Sequence, residues 1–465
     1  MAILQTELQP HQKRALQKAL LNNLILAHST GSGKTLTSIA IANALGKPTT
    51  VLTPASLVRN YEKEIKKHLK GKSNIKVLSL PTAVKQNTDI PEGNTVILDE
   101  AHSLRNSGTA KQAYIKKQLK KAGRIIALTG TPAYNQVADW APLVNIISQD
   151  SLVPENTSDF KQKYIREIKT KPSMLDRLLY GIKPGATETL KNEKELYNKV
   201  SKYIDSFNTD IEKPQRLDEV IKVPMSPEQE EVYRYVSRSM PVSLRYKIAK
   251  NLPPSKQEAK MMNAFLNDTR QVANTPEKYQ NNIKTGSKLK KAVDNLKDLM
   301  NKDKNFKALV YSNYLDSGIN AYAKLLDKEK IPYSVFNGSL TAKKKQEIVD
   351  KYNKGEIPII LGSGSASEGL DLQGTKLIQI LEPHFNNSKI EQVIGRGIRY
   401  KSHSHLPKEE QKVIVQKYLS TLSELPKLKK MLGYKKDTSV DEYLTGMADK
   451  KDALINQLKE VLAKE

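Results

Sequence analysis

At 465 residues the chain is too long for one ordinary core and implies about three domain-sized units, or two with an insertion. It contains no cysteine, which excludes disulfides and thiolate-held zinc, and no apolar run of about 18 residues, which argues against a membrane-spanning helix. The 76 Lys and Arg against 50 Asp and Glu leave a formal charge of +26, an excess that suits a polyanionic partner.

The first 148 residues alternate short β-branched runs with helical patterns. NLILAH (23–28), TTVLTP (49–54), NTVILDE (94–100) and RIIALTG (124–130) are predicted strands. Helical stretches such as KTLTSIAIANAL and SLVRNYEKEIKKHL lie between them. Runs that are apolar on both faces and alternate with helices predict an α/β domain with a parallel sheet covered on both sides. Residues 149–285 are polar and read as a mainly helical insertion or linker, broken at IKPGAT, NLPPSK and ANTPEK; DEVIKVPMS is their one strand-like run. Alternation returns over 286–425 with KALVYSN, PYSVFNG, IPIILGS, TKLIQILE and KVIVQKYL. Residues 426–465 then read as a C-terminal helical brace. The N-terminus lacks the apolar centre and cleavage site of a signal peptide, so a cytoplasmic location is expected.

HSTGSGKT (28–35) follows the first strand and opens a helix, the context a phosphate-binding loop requires. Glycines let backbone N–H groups approach phosphate, and the helix start adds its dipole. Lys34 would reach the β- and γ-phosphates, and Thr35 would hold Mg²⁺. His28 stands where such loops usually have their first glycine. A phosphate loop needs a metal-binding acid at the same sheet edge. VILDEAH (96–102) supplies two adjacent carboxylates: Asp99 for Mg²⁺ and Glu100 to orient and deprotonate the attacking water. Farther on, EQVIGRGIRY (391–400) puts Arg396 and Arg399 three apart, so that on a helix they share a face and could clamp a γ-phosphate.

Taken in order, these segments resemble the superfamily 2 helicases, and among them the Swi/Snf-type DNA-translocating ATPases. The likeness runs along nearly the whole chain. LQPHQKRAL resembles the glutamine motif, TGSGKT motif I, VLTPASLVRN motif Ia, LDEAH motif II and LTGTPAYNQVADWAPLVNII (128–147) the region of motif III. ALVYSNY resembles motif IV, FNGSLTAKKKQEIVDKYN the glycine–serine segment after it, LGSGSASEGLDLQG motif V and QVIGRGIR motif VI. Lys345 stands where that glycine–serine segment usually has arginine. The tail resembles the nucleoside triphosphatases of poxviruses and related phage helicases, which implies a viral or phage origin.

The resemblance implies two RecA-like parallel-sheet domains with a helical insertion and a C-terminal helical segment. It implies ATP and Mg²⁺ as cofactors, with Gln12 near the adenine and Thr30, Gly31, Ser32, Gly33, Lys34, Thr35 and Gly369 about the nucleotide. Gln392, Arg396 and Arg399 of motif VI would join Lys34 and Glu100 in hydrolysis. His102, Thr129 and Thr131 would couple the two halves, and Ser367, Glu368 and Gly369 would lie between ATP and DNA. Thr53, Pro54, Arg59, Ser363 and Ser365 would contact DNA phosphates, which carry no sequence information. The partner would be duplex or branched DNA, with a polymerase or replication and recombination proteins as further partners and no membrane. Left open are strand separation against translocation, an accessory role in transcription, an RNA substrate and a regulatory switch with little turnover. His403 and His405 complete no metal-ligand spacing, and Trp140 sits at a packing position.

Overall fold

The computed structural model of the chain describes residues 2–29, 31–104, 108–130, 137–169, 177, 178, 180, 183–207, 213–280, 286–364, 370–432 and 436–463. It divides into two compact units, Met1–Arg166 with Glu188–Ile211 and Lys451–Glu465, and Glu167–Thr187 with Glu212–Lys450.

The first unit is built on six parallel strands: β1 (Leu24–His28), β2 (Thr49–Thr53), β3 (Ile75–Ser79), β4 (Thr95–Leu98), β5 (Arg124–Leu128) and β6 (Ile204–Phe207), in the order β6-β1-β5-β4-β2-β3. Alternate residues feed opposite cores. Ile25, Val96, Leu98, Ile125 and Ala127 face one, and Leu24, Leu26, Ile97, Ile126 and Leu128 face the other. That is why β1, β4 and β5 carry nearly unbroken apolar runs. Parallel pairing puts every strand's carboxyl end at one edge of the sheet. β5 lies between β1 and β4, so the segments after these three strands emerge side by side.

The second unit repeats the plan with β7 (Gln215–Pro224), β8 (Ala308–Tyr311), β9 (Ser334–Phe336), β10 (Ile359–Gly362), β11 (Leu377–Ile380) and β12 (Lys412–Thr421), in the order β7-β12-β11-β8-β10-β9. Again one face buries Ala308, Val310, Ile359 and Leu361, and the other buries Leu309, Tyr311, Ile360 and Ile378. Two RecA-like lobes are thus present, as the resemblance implied.

Residues 149–285 do not form one helical linker. They divide between the units, and each takes a strand from them, β6 and β7. β6 is only four residues long and carries Asp205 at its centre, so it lacks the apolar run of its neighbours. The helices Pro227–Ser237, Val242–Ala249 and Lys256–Asn274 belong to the second unit and share a core with Val440, Tyr443 and Leu444. Those three residues open the long helix Val440–Ala463, which read as part of a C-terminal brace. From Lys451 the same helix is counted in the first unit, where Leu454, Ile455, Leu458 and Val461 enter its core. Among the described residues no helix is long and apolar enough to cross a membrane.

Candidate ATPase site

The phosphate loop joins β1 to the helix Lys34–Leu45. Gly31 and Gly33 have φ of +83° and +78°, values that side-chain-bearing residues rarely adopt. A β-carbon on Gly33 would also lie 2.6 Å from Gln12 Nε2, so the turn fits only glycine there. Gln12 is buried. Its Oε1 accepts from the Gln9 N–H at 2.9 Å and its Nε2 donates to the Gly33 carbonyl at 3.4 Å, tying the first helix to the loop. His11 adds a contact to the Ser32 carbonyl at 3.0 Å. The Lys34 ammonium donates to the carbonyls of His28 at 2.9 Å and Ser29 at 3.1 Å, which holds it over the loop.

At the end of β4, Asp99 is oriented on both oxygens. Thr53 Oγ1 donates to one at 2.8 Å and the Glu100 N–H to the other at 3.0 Å. Burial, and after it the adjacent Glu100 charge, pushes the Asp99 carboxyl up to about 6; the Thr53 and Glu100 hydrogen bonds and the Lys34 charge act against this. That Lys34 contribution puts the phosphate-loop cation and this carboxylate in one electrostatic field. Glu100 has φ +48°, a left-handed conformation uncommon for glutamate. His102 Nδ1 lies 3.2 Å from Glu100 Oε2. Thr129, at the end of β5, is fully buried, and its N–H donates to the Leu26 carbonyl at 3.1 Å.

A half-buried carboxylate beside a phosphate loop suits a hard cation that also uses phosphate oxygens. Among the described residues no cluster of three or more His, Cys, Asp or Glu could form a closed metal cage. The Asp99 carboxylate and the Thr35 hydroxyl could offer oxygen donors to such a cation.

The other expected residues fall as follows. Thr53 is fully buried with its hydroxyl committed to Asp99, which places it with the acidic pair instead of on an exposed surface. Pro54 is half-buried and Arg59 exposed, at the start of the helix Val58–His68. Ser363 is half-buried after β10. Gln392 and Arg396 lie on the helix Asn387–Gly397 and are half-buried. That helix ends before Arg399, so the two arginines do not share a helical face by their spacing: Ile398 leaves it with φ −117° and ψ 81°. Arg399 is instead aimed by its own bonds, Nε to the Gly395 carbonyl at 3.3 Å and Nη1 to Asp371 at 3.2 Å. Thr30, Thr131, Ser365, Ser367, Glu368 and Gly369 lie outside the described residues. Trp140 is core, and His403 is held by Ser402 and the Thr375 carbonyl.

One constellation had no motif. Asp205 on β6 is fully buried beside β1, where it contacts His28 Nε2 at 2.7 Å and accepts from Arg14 Nε at 2.9 Å and Nη2 at 3.2 Å. Burial lowers the His28 imidazole below its ordinary value and outweighs the Asp205 contact. For Asp205, burial opposes ionisation, but His28 and Arg14 overcome it and hold the carboxyl below its usual range. The non-glycine start of the phosphate loop is thus anchored to the edge strand.

Residues 11–90 and 80–278 match the model of the SNF2-related domain, and 291–401 match the helicase conserved C-terminal domain. The chain belongs to the SNF2-related helicases. A putative ATP-dependent RNA helicase, L538, of Acanthamoeba polyphaga mimivirus is 32% identical over 469 residues, 98% of this chain and 96% of that protein. A termination factor NPH-I homolog of African swine fever virus is 25% identical, over 84% of this chain and 68% of its own. A RAD54-like DNA repair and recombination protein of Drosophila mojavensis is 23% identical, over 85% of this chain but only 59% of its own. The SNF2-related chain described here is accordingly an ATP-hydrolysing helicase-type enzyme.

Proposed function

We propose that this enzyme uses the Asp99–Glu100 pair to hydrolyse ATP and spends the cycle on movement along, or remodelling of, duplex or branched DNA. The observation that carries the chemistry is the half-buried Asp99, held by Thr53 and the Glu100 N–H in the field of Lys34. Lys34 would hold the β- and γ-phosphates, and Thr35 and Asp99 would hold Mg²⁺, which when bound would supply charge neutralisation at the phosphate oxygens. Glu100 takes the proton of the attacking water, with His102 fixing the direction of its carboxylate. Arg396 and Arg399 stabilise charge on the transferred phosphoryl group. Gln392 joins the two arginines in hydrolysis, His102, Thr129 and Thr131 serve coupling, and Pro54, Arg59, Ser363 and Ser365 meet the DNA backbone.

DNA as the partner is supported by the charge of +26, by the Swi/Snf-type motifs and by the DNA repair and recombination role in the RAD54-like relative's name. The mimivirus relative's name instead specifies RNA, and the swine fever virus relative's name specifies termination. The two viral relatives support a host-cytoplasm setting. The test is the ATPase rate with no nucleic acid, duplex, single-stranded and forked DNA, and RNA. Strong stimulation by DNA and little by RNA is expected. Preferential stimulation by RNA would transfer the enzyme to the RNA reading, and equal rates in all five conditions would end the motor reading. Triplex displacement then distinguishes translocation from unwinding, and co-purification with a polymerase would favour the accessory role.

A further inference from the structure

The segment that launches the motif VI helix is held by another helix of the same unit. Residues 381–386 run from β11 to the helix Asn387–Gly397. Near their start Glu382 is a carboxylate only 1% exposed. It accepts from the Ser312 hydroxyl at 3.0 Å, the Asn313 N–H, the Asn313 side-chain amide at 3.1 Å and Asn274 Nδ2 at 2.9 Å. Ser312 and Asn313 leave the end of β8. Asn274 is the last residue of the helix Lys256–Asn274.

One turn earlier in that helix, Arg270 Nη2 donates to the Pro383 carbonyl at 2.8 Å. The guanidinium also lies over the rings of Tyr314 and Phe385, 5.2 and 5.5 Å from their centroids. Lys389, in the first turn of the motif VI helix, donates to Asn313 Oδ1 at 3.5 Å. Two glycines fix the limits of this network. A β-carbon on Gly318 would lie 1.9 Å from Ser312 Oγ, and one on Gly286 would lie 1.7 Å from the Asn274 carbonyl oxygen. A buried carboxylate that collects several donors rigidifies what it joins, and a partly satisfied one does not.

We propose that Arg270 and Asn274 are positioning residues for the motif VI helix: through Pro383 and Glu382 they fix where that helix leaves the sheet, and with it the placement of Arg396. This deepens the proposed hydrolytic role of Arg396 and rests on it. Neither residue belongs to the segments assigned to the nucleotide. Their loss therefore acts on turnover and leaves ground-state binding alone.

The experiment compares DNA-stimulated kcat, KM for ATP and affinity for a fluorescent ADP in Arg270→Ala, Asn274→Asp, Glu382→Gln, the double variant Asn274→Asp/Glu382→Gln, and Arg396→Ala as reference. Arg270→Ala and both single changes at the Asn274–Glu382 pair should lose about tenfold or more in kcat, with KM and ADP affinity within about twofold. The double variant exchanges donor and acceptor across the 2.9 Å contact and should recover most of the loss, while the unchanged KM and ADP affinity separate a displaced helix from general destabilisation. Should Arg270→Ala fail to fold, the exchange pair still decides. Full turnover in the single variants with Arg396→Ala inactive would overturn this inference alone, as would a double variant no better than the worse single. Full turnover in Arg396→Ala would instead overturn the role assigned to motif VI.

Discussion

Asp205 and His28, 177 residues apart in the chain, meet in the interior with Oδ1 and Nε2 separated by 2.7 Å. The contact joins the last strand of the first sheet to the first residue of its phosphate loop, and Arg14 closes it from the first helix. Asp205→Ala removes the carboxylate that His28 contacts and that accepts from Arg14 Nε and Nη2. Removing one member of a buried pair costs about 3–5 kcal/mol; Arg14 is part-exposed, so about 2 kcal/mol is expected here, read by urea denaturation. Nucleotide affinity should fall with it, because the loop loses its anchor.

The same pair predicts a direction for acid. Burial keeps His28 neutral in the fold below the pH at which a free imidazole takes its proton. The unfolded chain then binds the extra proton, so this contribution to stability falls as pH drops through about 6.5. Asp205 is depressed, so its contribution is present above the ordinary carboxylate value and is lost only as pH falls through its lower native value. The His28→Gln variant keeps a donor for Asp205 but cannot titrate. Its stability should vary less than the parent's between pH 7 and about pH 5 in chemical denaturation. A parent-like slope in that interval would remove His28 as the cause.

These particulars show what the sequence carried and what it did not. β1, β4 and β5 were legible because both their faces are buried, which leaves an unbroken apolar run. β6 was not, because its stability depends on pairing Asp205 with residues far away in the chain. Edge strand β3 was missed for a related reason: all five residues are half-buried or exposed, so Ile75, Val77 and Leu78 stand among polar neighbours. In the site, Lys34, Asp99 and Glu100 were readable as local motifs. Thr53 could be placed beside Asp99 only by the register of β2 and β4. The direction of Arg399 depends on where a helix stops, a boundary its i,i+3 spacing does not encode.

Asp99, proposed to hold Mg²⁺, sets function against stability. Its carboxyl, raised to about 6 chiefly by burial, is ionised at neutral pH at a cost to the free protein. Asp99→Asn removes that charge and should stabilise the metal-free enzyme at pH 7.5 by about 1 kcal/mol, discounted for the partial exposure of the site. The native carboxyl binds its proton more tightly than the unfolded one, so the parent's penalty shrinks as pH falls through 6 and the two melting curves should converge. Calorimetry in EDTA tests both parts, while hydrolysis by the variant should be lost.

Arg399 offers a separation of charge from geometry. Its exposed ion pair with Asp371 contributes less than about 1 kcal/mol, so Asp371→Ala should leave the melting temperature nearly unchanged. Both Arg399→Ala and Arg399→Lys should lose about 100-fold or more in kcat, since an ammonium does not reproduce the guanidinium fork. Steady-state kinetics with saturating DNA make the comparison. A lysine variant with full turnover would reduce the role of Arg399 to that of a point charge.

Glu100 combines a strained backbone with the group assigned to the water. At φ +48° it holds a conformation that glycine adopts freely and that costs a glutamate about 1 kcal/mol. Glu100→Gln keeps the side chain's shape and the strain but removes the base. It should bind ATP with parental affinity, melt within a degree or two of the parent and hydrolyse about 100-fold or more slowly. Glu100→Gly removes both base and strain, so it should be equally inactive and yet more stable than Glu100→Gln by about 1 kcal/mol. Fluorescent-nucleotide titration, calorimetry and single-turnover hydrolysis of the two variants separate the effects. If Glu100→Gln retained parental single-turnover rates, the proton would have to leave by another group, and the pairing of Glu100 with His102 would lose its assigned purpose.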